Sequence, residues 1–197
     1  ISEDLMVEGL YRTKYDNLNA LNFRKNTNHI KEESLIKTFE ESKNIEIENF
    51  RITNQKNLGK PVSRNIKFLS EDLVESINDK LYIEPLLFLS HHENPFKLEE
   101  RKFPVDFTSP WKDKHTVSIQ IPEGYKVESV PETMAIGLPN NLGVFKYQVT
   151  HQGNKIRTTC VIEFNEALIN PQHYVALKDF YAKRVKKESE KIVLVKI

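Results

Sequence analysis

The sequence is short of several residues from which compact functional motifs are usually built. Its 197 residues include one cysteine, one tryptophan, two methionines and six glycines. A lone cysteine, Cys160, cannot close an internal disulfide, which excludes both a disulfide scaffold and a cysteine-based zinc cluster. With so few glycines there is no Gly-rich phosphate-binding loop. No apolar run approaches the length needed to span a bilayer, so the chain is read as not membrane-spanning. Neither sign of charge dominates: 29 Lys and Arg face 28 Asp and Glu, a net charge of +1. That balance argues against a global field for nucleic acid or anionic membrane and leaves room only for a local patch. At 39% hydrophobic residues the chain is nonetheless too apolar to be disordered. It opens Ile1-Ser2-Glu3-Asp4, with no initiator Met and no basic-then-apolar leader, and is expected to be a portion of a longer protein.

What is abundant is strict alternation of apolar and polar residues, the mark of half-buried strands. Leu5, Val7 and Tyr11 share one parity, as do Val62, Ile66 and Phe68, then Val117, Ile119 and Ile121, then Met134, Ile136 and Leu138. Further strands are expected at 45–53, 81–89 and 191–196, the last apolar on both parities and suited to burial on both faces. The best-specified element is a hairpin, 144–165, about Gly153-Asn154, a residue pair that tolerates the positive φ of tight turns. Pairing across that turn sets Phe145 against Ile162, Tyr147 against Cys160, Val149 against Thr158 and His151 against Ile156. One face is then largely apolar on both strands at once.

Helical spacing occurs three times. Segments 15–26 and 31–42 carry short apolar stripes, Leu18 and Leu21 in the first, Leu35, Ile36 and Phe39 in the second. A third helix follows Asn170-Pro171, a cap residue before proline, with Tyr174, Leu177, Tyr181 and Val185 on one stripe. Lys183, Arg184, Lys186 and Lys187 in its last turns are read as cations offsetting the helix dipole. The expected fold is mainly β: antiparallel, sandwich-like sheets with two N-terminal helices and one C-terminal helix packed on the side. Pro and turn residues from Asn94-Pro95 to Ser109-Pro110-Trp111 suggest a connection between halves 1–93 and 94–197, which could equally form one continuous domain.

No complete catalytic constellation is legible. Cys160 lies on the inward parity Ile156, Thr158, Cys160, Ile162, Phe164, where a thiol is a packing residue. His91-His92-Glu93 has metal-ligand residue types, but adjacent residues of an extended segment point apart and do not share a tetrahedral ion. Glu99-Glu100-Arg101-Lys102 reads as a solvated link, and Trp111 and Tyr125 as closures of a core edge that could also anchor a partner.

Four stretches together resemble a known family: Asn94-Pro95-Phe96-Lys97-Leu98-Glu99-Glu100-Arg101-Lys102-Phe103-Pro104-Val105-Asp106-Phe107, then Pro122-Glu123-Gly124-Tyr125-Lys126-Val127-Glu128-Ser129-Val130-Pro131, then Gly143-Val144-Phe145-Lys146-Tyr147, then 174–196. They are similar to the C-terminal, uncharacterised β-domain of bacterial transglutaminase-like envelope proteins. Tyr15 to Arg24 and Leu81-Tyr82-Ile83-Glu84-Pro85-Leu86-Leu87-Phe88 extend the likeness. The resemblance implies a periplasmic or envelope location and an upstream transglutaminase-like domain of the same parent chain, in which the catalytic Cys, His and Asp reside. None of those residues transfers to this sequence.

The reading is therefore a non-catalytic accessory module without cofactor, metal or catalytic residues. It would pack on the catalytic domain or bind a protein or glycan partner, not nucleic acid. The alternative is an independent cysteine-dependent hydrolase or transferase built from Cys160, His151 and an acid.

Overall fold

A computed structural model describes all residues 1–197. The chain is mainly β, with several antiparallel sheets, three α-helices and no closed barrel. It forms two compact units, Ile1–Leu73 and Val74–Ile197.

The first unit is a three-stranded antiparallel sheet in the order β1-β3-β2, formed by β1 (Val7–Tyr15), β2 (Glu46–Thr53) and β3 (Val62–Ser70). Between β1 and β2 run α1 (Asn17–Thr27) and α2 (Glu32–Lys43), close to the expected spans. Both helices cover one sheet face through aromatic contacts that the β1 alternation makes available: Tyr15 stacks on Phe23 of α1 at 4.7 Å and Tyr11 on Phe39 of α2 at 5.9 Å. Arg64, on the same face of β3, lies over the Phe39 ring at 4.3 Å. Asn44, in the left-handed region at φ 51, ends α2 and turns the chain into β2. On β1, Gly9 sits opposite Phe68, and a Cβ there would lie 2.5 Å from the ring. Only glycine admits that approach.

The second unit contains two four-stranded sheets. One has the order β4-β5-β13-β8: β4 (Glu75–Ile77), β5 (Lys80–Ile83), β8 (Tyr125–Ser129) and β13 (Ile192–Lys196). The other has the order β7-β11-β10-β9: β7 (Trp111–Gln120), β9 (Met134–Gly137), β10 (Gly143–Gln152) and β11 (Lys155–Phe164). A small pair joins β6 (Val105–Asp106) to β12 (Leu168–Ile169). The unit begins at Val74, ahead of the 93/94 division read from the prolines, because β4 and β5 are hydrogen-bonded into the sheet that β13 completes. The expected 81–89 strand is shorter. It ends at Ile83, and after Glu84-Pro85 the chain makes a 3₁₀ turn, Leu87–Leu89, entered with Leu87 at φ 54.

The hairpin has the register that the alternation requires: Phe145 pairs with Ile162, Tyr147 with Cys160, Val149 with Thr158 and His151 with Ile156. Of the two turn residues only Gly153 occupies positive φ, at 58°. β13 is an interior strand, with Ile192 and Leu194 fully buried and Val193 and Val195 half-buried on the other face.

After Asn170 the chain makes a 3₁₀ turn, Pro171–His173, and then α3 (Tyr174–Glu188). Asn170 makes no side-chain cap bond; the His173 N–H donates to its carbonyl instead. α3 packs on the inner face of the β10–β11 hairpin, Phe180 against Phe145 at 6.5 Å and Phe164 at 5.9 Å, with Tyr181 stacked on Phe164. Its buried stripe is Tyr174, Leu177, Phe180, Tyr181, Arg184 and Glu188, and Val185 is only half-buried. Arg184 and Lys187, read from the sequence as cations offsetting the helix dipole, are both buried. At 3.6 residues per turn, Arg184 and Glu188, seven and eleven residues beyond Leu177, lie within about 20° of it around the helix, whereas Val185 is roughly 80° away.

Candidate functional site

The inward stripe of α3 ends in charge, and this is where the unused chemistry of the second unit converges. Arg184 and Glu188, one helical turn apart, form an ion pair with Nε donating to Oε1 at 2.7 Å. The Glu188 carboxylate is fully buried and is a hub for three elements. Its Oε2 accepts from the His91 backbone N–H at 2.8 Å and lies 2.9 Å from His91 Nδ1. Its Oε1 also accepts from the Cys160 thiol of β11 at 3.7 Å, and its backbone carbonyl accepts from Ser90 Oγ at 3.3 Å. Across the sheet, His115 of β7 is the cross-strand partner of Cys160.

The His91 ring lies between the Glu188 carboxylate and the Arg184 guanidinium. Arg184 Nη2 is 2.8 Å from Nδ1 and 3.4 Å from Nε2. A hydrogen bond along the Nδ1 lone pair would leave Nη2 much farther from Nε2 than from Nδ1, so the guanidinium lies against the ring face. Nδ1 is then free to donate to the Glu188 carboxylate.

The electrostatics follow from this packing. Burial alone would raise the Glu188 pKa, but the His91 hydrogen bond and the Arg184 charge outweigh it and hold the carboxyl below its ordinary value. Burial, reinforced by the neighbouring Glu188 charge, pushes the Cys160 thiol up to about 12. Such a thiol is protonated at neutral pH and donates to a carboxylate, the reverse of what a nucleophile requires. Burial also lowers the His115 pKa, opposed by the nearby Asp113 and Glu188 charges.

The residues singled out in the sequence are dispersed. His151 lies at the far end of β10, where its Nε2 contacts the Gly153 carbonyl at 2.7 Å, and it pairs with Ile156 instead of approaching Cys160. His91 and His92 point apart, His91 to Glu188 and His92 to Glu84 at 3.5 Å. No three His, Cys, Asp or Glu side chains converge closely enough to hold a metal ion. Glu99 to Lys102 are exposed, and Trp111 packs on Phe164 at 5.1 Å and edge-on to Phe107. Sequence reasoning missed His115, Arg184 and Glu188 as neighbours of Cys160. The (i, i+4) spacing of Arg184 and Glu188 on the Leu177 stripe was the available signal.

The sequence of residues 79–194, most of the second unit and more than half of the chain, matches a family described as a domain of unknown function with solved structure, DUF3858. The chain belongs to the DUF3858 family. The whole cluster of His91, His115, Cys160, Arg184 and Glu188 falls inside the DUF3858 match, whereas the first unit lies outside it. No curated protein matches the chain. Among solved structures, the DUF3858 chain is similar to a protein from Parabacteroides distasonis described as a "putative protease", at 18% identity and a TM-score of 0.43. That match covers 50% of this chain and 19% of the other.

Proposed function

We propose that this chain is a non-catalytic accessory β module of an exported transglutaminase- or protease-like protein, which packs on a catalytic domain or presents a surface to a partner. The observation that carries the reading is the state of Cys160. The only thiol is sealed in the core, hydrogen-bonded to a buried carboxylate, and its pKa is shifted away from reactivity. The polar cluster around it ties β11, α3 and the Ser90–His91 segment together, which is a structural task. The sequence resemblance supplies the envelope setting and the upstream domain. No helix is long and apolar enough to cross a membrane.

The test is to produce the chain alone and joined to the upstream domain of its parent, then compare amide exchange and turnover of glutamine and peptide substrates. The expected result is no turnover by the chain alone and added protection over part of its surface when joined. Turnover by the isolated chain that is abolished by Cys160→Ser would overturn the non-enzyme reading. Identical protection in both forms would overturn docking on the catalytic domain and favour an external partner.

A further inference from the structure

The solvent face of the first unit carries a charge pattern that the packing does not use. From Asn49 to Ser70 the sequence contains no acidic residue but holds Arg51, Lys56, Lys60, Arg64 and Lys67. The β-register sorts these cations. Arg64 faces the helices, over Phe39, and Lys67 is neutralised by Glu8 at 2.8 Å and Glu48 at 2.9 Å. At the other end of the face, Arg12 of β1 and Arg51 of β2 both pair with Asn65 of β3, forming a row Arg12–Asn65–Arg51 straight across the sheet. The next row toward the β2–β3 loop is Lys14–Ser63–Thr53, in which Lys14 is paired with Asp16 at 3.3 Å. Arg12, Arg51, Lys56 and Lys60 are exposed.

The loop beyond these rows is held in shape from below. The buried Arg24 of α1 donates to four of its backbone carbonyls, those of Asn54, Gln55, Asn57 and Lys60, at 2.7 to 3.1 Å. A guanidinium held by four carbonyls fixes the backbone of the loop that carries Lys56 and Lys60, so the loop itself need not be ordered on binding.

We infer that this end of the sheet binds an acidic polysaccharide. The backbone positions of Arg12 and Arg51, on strands separated by one neighbour, are roughly 10 Å apart, which lets their guanidinium forks reach anions at a similar spacing. That spacing suits anions on alternate sugars of an extended acidic chain, each able to take a bidentate bond. Asn65, Ser63 and Thr53 between and beside them offer amide and hydroxyl groups for sugar hydroxyls. The row has no aromatic on which a nucleobase could stack, and the exposed apolar side chains beside it, Leu10 on β1 and Leu58 in the loop, are isolated in sequence among polar and charged residues. This assignment goes beyond the accessory reading and stands whatever the parent's activity, because it concerns residues outside the matched family region.

The experiment titrates the full 197-residue chain with polygalacturonate and heparin oligosaccharides, with neutral dextran, duplex DNA and phosphatidylglycerol vesicles as comparators. The expected result is binding of both acidic oligosaccharides, weakened by salt, and none of dextran. Arg12→Gln and Arg51→Gln should each weaken binding roughly tenfold, in line with the loss of one charged hydrogen-bonding group. Arg51→Lys should weaken it less, and Lys186→Gln, an exposed cation of the second unit, should leave it unchanged. Melting temperatures equal to the parent chain's establish that the variants are folded. Equal binding by the Arg variants and the parent, binding of dextran, or tighter binding of DNA or vesicles than of the oligosaccharides would each overturn the assignment.

Discussion

Replacing Glu188 by alanine removes the acceptor on which Arg184, His91 and Cys160 all depend. Arg184 is 4% exposed and would remain charged in the core without its partner. Breaking a buried pair from one side typically costs about 3–5 kcal/mol, most of it the uncompensated charge left behind. For a domain of this size that corresponds to a melting shift of roughly 6–20 °C. Glu188→Gln keeps an acceptor for the His91 N–H but not the charge that Arg184 needs, so its loss should be smaller than that of alanine yet clear. The double variant Arg184→Met, Glu188→Met removes both charges and restores apolar volume, and should recover much of the deficit. The assay is thermal and urea unfolding of all four proteins, followed by tyrosine fluorescence and circular dichroism. Asp179–Lys183, an exposed pair one turn earlier in α3, is the control. Its removal should cost no more than about 1 kcal/mol. If Glu188→Ala costs no more than loss of that exposed pair, the cluster does not hold the α3 end and the reasoning fails.

Two further outcomes are expected. Leu177→Ala should cost about 2–5 kcal/mol by opening a cavity under α3, whereas Lys186→Ala on its exposed side should stay within about 0.5 kcal/mol; equal melting shifts would show that α3 does not dock through this stripe. Because the folded-state pKa of His115 is depressed, the unfolded chain binds its proton first, so this stabilising contribution is complete above about 6.5 and declines as pH falls below it. The melting temperature should therefore drop on acidification from pH 7.5 to 5.5, and the drop should be shallower in His115→Gln; the same slope in both proteins would remove His115 from the account.

What could be read from the sequence was set by how local the signals are. The β10–β11 hairpin is specified twice over, by Gly153 at the turn and by an alternation that has one apolar face in only one register. The helices of the first unit were legible from spacing and the parity of Tyr11 from alternation, but Tyr15, read as the start of the first helix, instead ends β1 and stacks on Phe23. The strand after Lys80 was over-extended, since the apolar run Leu86–Leu89 looks continuous while Pro85 and the positive φ of Leu87 bend the backbone out of the sheet. The cluster at Glu188 was hidden for a different reason. Lys183, Arg184, Lys186 and Lys187 have the composition of a solvated helix end, and only tertiary packing decides which of them turn inward. Likewise His115 became a neighbour of Cys160 only through the long-range pairing of β7 with β11, whereas His151 was the nearer histidine in sequence.

The central claim, that this module supports chemistry without performing it, rests on a thiol that is sealed while the chain is folded. The direct measurement is the rate of Cys160 alkylation by iodoacetamide across pH 6 to 9, in native buffer and in increasing urea. The account predicts a native thiol that is nearly inert throughout that range and becomes reactive only as the chain unfolds, with labelling tracking the unfolding transition. Rapid native labelling that rises at a pH below the ordinary range of a free thiol would mean an exposed, activated Cys160 and would contradict it.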